Sequence, residues 1–231
     1  MKTMTEPVIA VFDLDGTLTA DGSLEKHFAR FAWQQGLLHL PSLLFHAAHL
    51  ISKAPFDSIE AIKRNKKYLR GITVQTMQDA SREFIRCEGH RLLAPYALPL
   101  LQAHRGMGHI NILITGSLDV LVSQLVSQFS LPLDHIFATK LAQENGKLTG
   151  RIDGPHYYGH DKTVLIKHWA RERGIDLTCS FCYADSFSDI TLMQMFGNPV
   201  AVRPDKSLAA TADARNWHIL QEDRYVTINN K

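Results

Sequence analysis

The chain has 231 residues and a mass of 26.0 kDa, room for one large domain or for a core carrying a smaller insert. Apolar residues are 45% and charged residues 21%, a globular mixture that excludes disordered, collagen-like and mucin-like chains. The net charge of +2 with histidine neutral is too small for a dedicated nucleic-acid binder. Three cysteines are too few for a disulfide framework, which points to a reducing compartment. The apolar run Val8–Phe12 meets Asp13 at once and is too short for the core of a signal peptide. With no run of about 20 apolar residues to span a bilayer, the expectation is a soluble, cytoplasmic protein.

In chain order, Val8–Phe12 is rich in β-branched residues and ends in Asp-Leu-Asp-Gly-Thr, which predicts a buried parallel strand and its exit turn. Residues 21–90 lack a strand pattern and fit four helices: Leu24–Gln35, Ser42–Lys53, Ser58–Leu69 and Val74–Glu88. Gly36, Pro41, Pro55 and Gly71 punctuate them. A helix over Pro95–Arg105 follows, then a second strand, His109–Thr115, and a helix over Leu118–Phe129. Asn145-Gly146 between Ile136–Leu141 and Lys147–Ile152 is a hairpin signal. Helix Lys162–Arg173, strand Thr178–Ala184, helix Ile190–Phe196, strand Pro199–Val202, helix Lys206–Ala214 and strand Trp217–Leu220 complete the pattern. Strand–helix alternation predicts α/β: a Rossmann-like parallel sheet flanked by helices. A helical cap is inserted after the first strand. The expected division is a catalytic core of residues 1–20 and 91–231 and a cap of residues 21–90. An insert at that point would sit over the carboxyl ends of the strands, where open α/β sheets bind ligands.

Three strand ends carry polar residues: Asp13, Asp15 and Thr17; Thr115 and Ser117; Asp185 and Asp189. In a parallel sheet they share one edge. Lys162 opens a helix after Gly159-His160-Asp161. Carboxylates, hydroxyls and one ammonium suit Mg²⁺ and a phosphoryl group, because Mg²⁺ prefers oxygen ligands and keeps waters and substrate phosphate. Each piece alone has a plainer reading as a turn, a helix cap or a solvated charge. Their joint placement at successive strand ends favours chemistry.

These residues resemble the haloacid dehalogenase-like phosphohydrolases. Phe12-Asp13-Leu14-Asp15-Gly16-Thr17 resembles the first motif of that family, Ile114-Thr115-Gly116-Ser117 the second and Lys162 the third. Tyr183-Ala184-Asp185-Ser186-Phe187-Ser188-Asp189 resembles the fourth. The resemblance covers nearly the whole chain, and the helical insert is similar to the phosphoserine phosphatase-like branch. It implies that Asp13 is the nucleophile and Asp15 the general acid and base. It implies Mg²⁺ held by Asp13, Asp185 and the Asp15 main-chain carbonyl, with Asp189 orienting a water on the metal or Lys162. Gly16, Thr17, Thr115, Gly116, Ser117, Ser188 and Lys162 would surround the phosphate, with Lys162 stabilising transition-state charge. The residue types fit that chemistry independently: a carboxylate can form an acyl phosphate, and Asp13 ionised beside Asp15 protonated needs two carboxyls with separated pKa values.

Two positions depart from phosphoserine phosphatases. Ser188 replaces the asparagine before the last motif aspartate, and Gly22 stands where a glutamate reads the serine amino group, with Asp21 as a neighbour. Phosphoserine is therefore disfavoured as substrate. Dehalogenation is disfavoured too, since it needs no acid at Asp15. A second class of function, a receiver-like phosphoacceptor module, also uses Asp, Thr and Lys on a parallel sheet. The second carboxylate and the large insert speak against it.

Other signals read as structure. Cys179-x-x-Cys182 lies in a predicted strand, where i and i+3 face opposite ways. His39, His46 and His49 are interrupted by Pro41, and Trp33, Trp169 and Trp217 read as packing residues. In the insert, apolar helix Ser42–Lys53 precedes Lys63, Arg64, Lys66, Lys67 and Arg70. Two readings stand open there: a buried cap helix beside a solvated basic one, or a cap touching an anionic membrane at its inner face. The resemblance implies as partner a phosphorylated small molecule or, as for some relatives in this branch, a lipid phosphate such as phosphatidylglycerophosphate. Sequence does not choose between them, nor does it set the oligomeric state.

Overall fold

A computed structural model describes residues 7–20, 22–38 and 66–221. Among them the chain runs β1 (Ile9–Phe12), α1 (Leu24–Gln34), a 3-10 turn (Lys67–Leu69), α2 (Val74–Leu92), α3 (Ala97–Gly106) and β2 (Ile110–Leu118). It continues with α4 (Asp119–Phe129), β3 (His135–Glu144), β4 (Lys147–Asp153) and α5 (His160–Glu172). Next come β5 (Phe181–Ala184), α6 (Ile190–Met193), β6 (Asn198–Val202), α7 (Lys206–Ala214) and β7 (His218–Leu220). Helix Ser42–Lys53, most of Ser58–Leu69, Asp21, His39, His46, His49, Lys63 and Arg64 lie outside the described residues.

The strands form one sheet in the order β4-β3-β2-β1-β5-β6-β7. All neighbours are parallel except β3 and β4, the hairpin turned by Asn145-Gly146. The chain builds outward from β1 to one side, through β2, β3 and β4, then returns to the other side through β5, β6 and β7. The order therefore switches at β1, and ligands of open α/β sheets bind at the carboxyl ends beside such a switch.

Alternation along β1 makes this a three-layer molecule. Ile9 and Val11 pack with Ile166 and Trp169 of α5, Leu192 of α6, and Leu208 and Ala212 of α7. Ala10 and Phe12 face the other way, into a cluster with Phe28 of α1, Phe84 and Ile85 of α2, Leu101 of α3 and Leu121 of α4. Successive side chains of a strand point to opposite faces, so a strand covered on both faces is apolar throughout. Gly89 lets α2 press on α4, since a Cβ there would lie 2.9 Å from the Phe129 ring.

Several elements differ from expectation. Strand β2 runs on through Gly116 and Ser117 because Leu118 still pairs with Thr139 of β3. The predicted strand Thr178–Ala184 begins only at Phe181. Asp176 accepts the Thr178 N–H at 2.8 Å and winds Leu177–Cys179 into a 3-10 turn. Cys179 is consequently exposed in that turn while Cys182 is buried. Trp33 is not a packing residue but 41% exposed, unlike buried Trp169. Lys66 does not belong to an exposed basic face. Its side chain is buried, with Nζ 2.5 Å from Glu25 of α1, whereas Lys67 and Arg70 are exposed.

His104, fully buried beside Phe12, supplies a test of this core. Its Nδ1 lies 2.8 Å from His109 Nδ1 and its Nε2 lies 2.8 Å from the Tyr183 hydroxyl. Neutral tautomers satisfy both contacts. Burial, aided by His109, holds its pKa down, from 6.5 to about 3. The unfolded chain therefore takes up a proton that the folded one refuses. Stability attributable to His104 is full above the unfolded value and is lost as pH falls from 6.5 toward 3, by up to about 1.4 kcal/mol per unit. Urea midpoints compared with those of His104→Gln isolate this term from the carboxylates. The wild type should lose more stability between pH 6.5 and 4.5; parallel curves would contradict it.

Candidate active site

Asp13 follows β1 directly, its N–H donating to the Tyr183 carbonyl of β5 at 2.9 Å. The chain then turns back on itself: the Leu14 carbonyl accepts the N–H groups of Thr17, Leu18 and Thr19. Gly16 makes the turn possible. Its φ is +81°, which strains any residue with a side chain, and a Cβ there would fall 2.1 Å from Asp185 Oδ2 and displace that carboxylate. The loop after β1 and the loop after β5 are thus in direct contact.

Lys162, in the first turn of α5, is buried beneath them. Its Nζ lies 2.7 Å from Asp13 Oδ1 and 2.7 Å from Asp189 Oδ2. Burial pulls the ammonium down, but the two carboxylates outweigh it and hold Lys162 above its usual range. Asp13 feels the reverse balance. Burial, Asp189, Asp185 and Asp15 push its carboxyl up, only partly offset by Lys162. Asp185 is likewise raised by burial and by its carboxylate neighbours, to about 6. One buried lysine does not neutralise this cluster.

Asp15 is held separately. Its Oδ1 accepts the Leu24 N–H at 2.7 Å, at the start of α1, and its Oδ2 accepts the Ser117 hydroxyl at 2.6 Å. Burial raises its pKa against those two bonds, with Glu25 adding to the rise. Asp13 and Asp15, two positions apart, therefore sit in different surroundings: one on a lysine, the other on neutral donors.

Thr115 is fully buried and its Oγ1 accepts the Ser117 N–H at 3.0 Å. Gly116 packs against His156, whose Nδ1 is 3.0 Å from Thr139 Oγ1. Thr17 reaches Asp185 Oδ1 at a long 3.5 Å, and Ser188 donates its hydroxyl to Ser186 at 3.2 Å. The structure gathers Asp13, Asp15, Gly16, Thr17, Thr115, Gly116, Ser117, Lys162, Asp185 and Asp189 at one end of the sheet. Ser188 lies in the 3-10 turn just before Asp189.

No three His, Cys, Asp or Glu side chains among the described residues form a ready metal cage. The donor chemistry nevertheless suits a hard cation, which takes few protein oxygens and completes its shell with water and phosphate. Asp189 Oδ1 is buried without a hydrogen bond, and Asp13 and Asp185 carry raised pKa values that a nearby cation would relieve.

The parallel sheet thus carries a carboxylate pair and a buried lysine beside its switch point. The chain belongs to the haloacid dehalogenase-like hydrolase family, whose model matches residues 10–194. A Mycobacterium tuberculosis protein named a probable phosphatase is 26% identical, covering 96% of this chain and 78% of its own. The histidinol-phosphatase of Neisseria meningitidis is also 26% identical, covering 92% of this chain and 97% of its own. A Bordetella pertussis protein of unknown function shares the fold, with a TM-score of 0.78 at 24% identity over 94% of this chain and 100% of its own.

Sequence reading missed three contributors. Tyr96 donates its hydroxyl to the Thr17 carbonyl at 2.7 Å. Arg203 and Asp205, just past β6, bind the backbones of the loops after β1 and β5. Backbone-directed contacts leave no motif, although Arg-Pro-Asp at a strand end was a turn signal.

Proposed function

We propose that this chain is a Mg²⁺-dependent phosphomonoester hydrolase working through an aspartyl-phosphate on Asp13. The carrying observation is the separation of two carboxyls at one strand end: Asp13 on Lys162 Nζ at 2.7 Å, Asp15 on Ser117 and the Leu24 N–H. One is suited to attack and the other to carry a proton.

An ionised Asp13 oxygen attacks phosphorus and the bond to the leaving oxygen breaks. Asp15 gives that oxygen its proton, so an alcohol departs. Water then attacks the acyl phosphate, Asp15 takes the water's proton, and phosphate leaves Asp13. Ser117 and Leu24 aim Asp15 throughout. Thr115, whose Oγ1 already accepts from Ser117, has its O–H to give to a phosphate oxygen, and Lys162 adds positive charge beside Asp13. Asp13, Asp185 and the Asp15 carbonyl would hold Mg²⁺, which supplies the charge that lets a carboxylate meet a phosphate dianion. Residues 21–90 act as the cap that excludes water and selects the alcohol.

The alcohol is not expected to need an ammonium group. Gly22 offers no carboxylate, and Glu25, the nearby acid, is committed to Lys66 Nζ and the Tyr68 hydroxyl at 2.5 and 2.6 Å. A panel of p-nitrophenyl phosphate, phosphoserine, histidinol phosphate and a phosphatidylglycerophosphate-type lipid, with Mg²⁺, Ca²⁺ or chelator, tests the reading. Hydrolysis should require Mg²⁺ and run poorly with Ca²⁺, whose larger shell misplaces the nucleophile. Phosphoserine should not exceed the other esters by about a hundredfold in kcat/KM. Full activity after verified metal removal would overturn the metal assignment. Hydrolysis of the lipid alone would favour the membrane-facing cap.

A further inference from the structure

The loop leaving β6 reaches into both halves of the site. Arg203 Nη2 donates to the Gly16 carbonyl at 2.7 Å and to the Thr19 carbonyl at 2.5 Å, while Nη1 donates to the Ala20 carbonyl. Two residues on, the Asp205 N–H donates to the Asp185 carbonyl at 2.8 Å, and Asp205 Oδ2 accepts the Phe187 N–H at 2.8 Å. One short segment thus holds the backbone just after Asp15, from Gly16 to Ala20, with one residue and that of the Asp185 loop with another.

These contacts bear on one atom in particular. The Gly16 N–H donates to Thr19 Oγ1 at 3.0 Å, and Thr19 is itself held by Arg203. A peptide unit is planar and trans, so a fixed Gly16 N–H fixes the direction of the Asp15 carbonyl. Arg203 thereby acts on that carbonyl from both sides of Gly16. Three carbonyls spread along a curved loop match a planar guanidinium fork; an ammonium offers its donors from a single point. Arg203 also has a φ of +41°, a left-handed conformation that a side-chain-bearing residue adopts only at a cost. The fold retains it where the fork is delivered.

We propose that Arg203 is a positioning residue for cation binding: it sets the Asp15 carbonyl against Asp185, with Asp205 fixing the partner loop. This rests on the hydrolase reading above. Arg203→Asn tests it well, because asparagine tolerates left-handed φ and so removes the fork without adding backbone strain. Mg²⁺ binding is measured by calorimetry in the absence of substrate, alongside circular dichroism and steady-state kinetics. Arg203→Asn should remain folded and bind Mg²⁺ about 10–100-fold more weakly, the usual cost of losing a group that orients metal ligands. Its kcat should recover toward wild type in excess Mg²⁺, with KM for the aryl ester little changed; a general loosening of the fold would not be repaired by metal. Arg203→Lys should fall between. A folded Arg203→Asn with wild-type Mg²⁺ affinity overturns the proposal, and so does unfolding of both variants, since the fork would then hold the fold rather than the site. Wild-type protein that binds no Mg²⁺ and hydrolyses no ester overturns the hydrolase reading itself, a result distinct from either.

Discussion

Asp13→Asn should lower hydrolysis of an aryl phosphate by about 10⁴–10⁶-fold, the scale seen when a covalent nucleophile is removed. The exchange is nearly isosteric. Lys162 keeps its 2.7 Å partner Asp189, so the buried ammonium is not stranded and the fold should survive. Asp15→Asn should behave differently. It removes proton transfer, for a loss of about 10²–10⁴-fold, but leaves attack possible. With p-nitrophenyl phosphate, whose phenolate leaves without much help, Asp15→Asn should release a burst of product and hold a phosphoryl adduct detectable by intact mass. Asp13→Asn should show neither burst nor adduct. Circular dichroism must show both variants folded. Wild-type turnover in folded Asp13→Asn would remove Asp13 from its assigned role. An absent burst in an Asp15→Asn variant that still turns over would move the acid elsewhere.

The two residues were legible in the sequence for a physical reason. Ile9–Phe12 is apolar at every position because β1 is covered on both faces, and such a run reaches its first charge only where the strand ends at its carboxyl edge. Asp13 marks that end, as Asp185 does after β5 and Ser117 near the end of β2. Alternating faces and strand ends are one-dimensional patterns, so the parallel sheet and the edge that carries its polar residues could be read together, while the strand order that reverses at β1 could not. Boundaries that depend on a neighbouring strand were less readable. Strand β2 continues to Leu118 only because Thr139 pairs with it, and Leu177–Cys179 leaves the sheet because Asp176 captures a backbone N–H.

Side-chain partners across long sequence separations were less readable still. The motif resemblance puts Ser117 among the expected phosphate contacts, yet nothing local shows that its hydroxyl goes to Asp15, 102 positions away. Lys66 looked like one of five surface cations, and only the fold brings it onto Glu25. Arg203 was invisible because it binds carbonyls, which every residue possesses. Charges that pair in three dimensions look alike in sequence to charges that face water.

Lys162 joins the two kinds of information, and its removal should have the second large effect. It is 3% exposed and lies between two carboxylates. Lys162→Met preserves much of the stem but takes away the charge. Turnover should fall by about 10²–10³-fold, the loss typical of one preorganised group facing developing charge. Folding stability should fall as well, by up to about 3–5 kcal/mol, because Asp13 and Asp189 lose a cation that burial had made costly to replace. The two readouts should then respond oppositely to metal. Mg²⁺ binding beside Asp13 would offset part of the unpaired charge in the variant, so it should raise the melting temperature of Lys162→Met more than that of the wild type, while leaving the lost turnover unrestored. A structural lysine with no place in the chemistry would give the stability loss alone, with full turnover in excess Mg²⁺ once the variant is folded. That outcome would return transition-state stabilisation to Thr115 and the backbone of the Asp13–Thr17 loop.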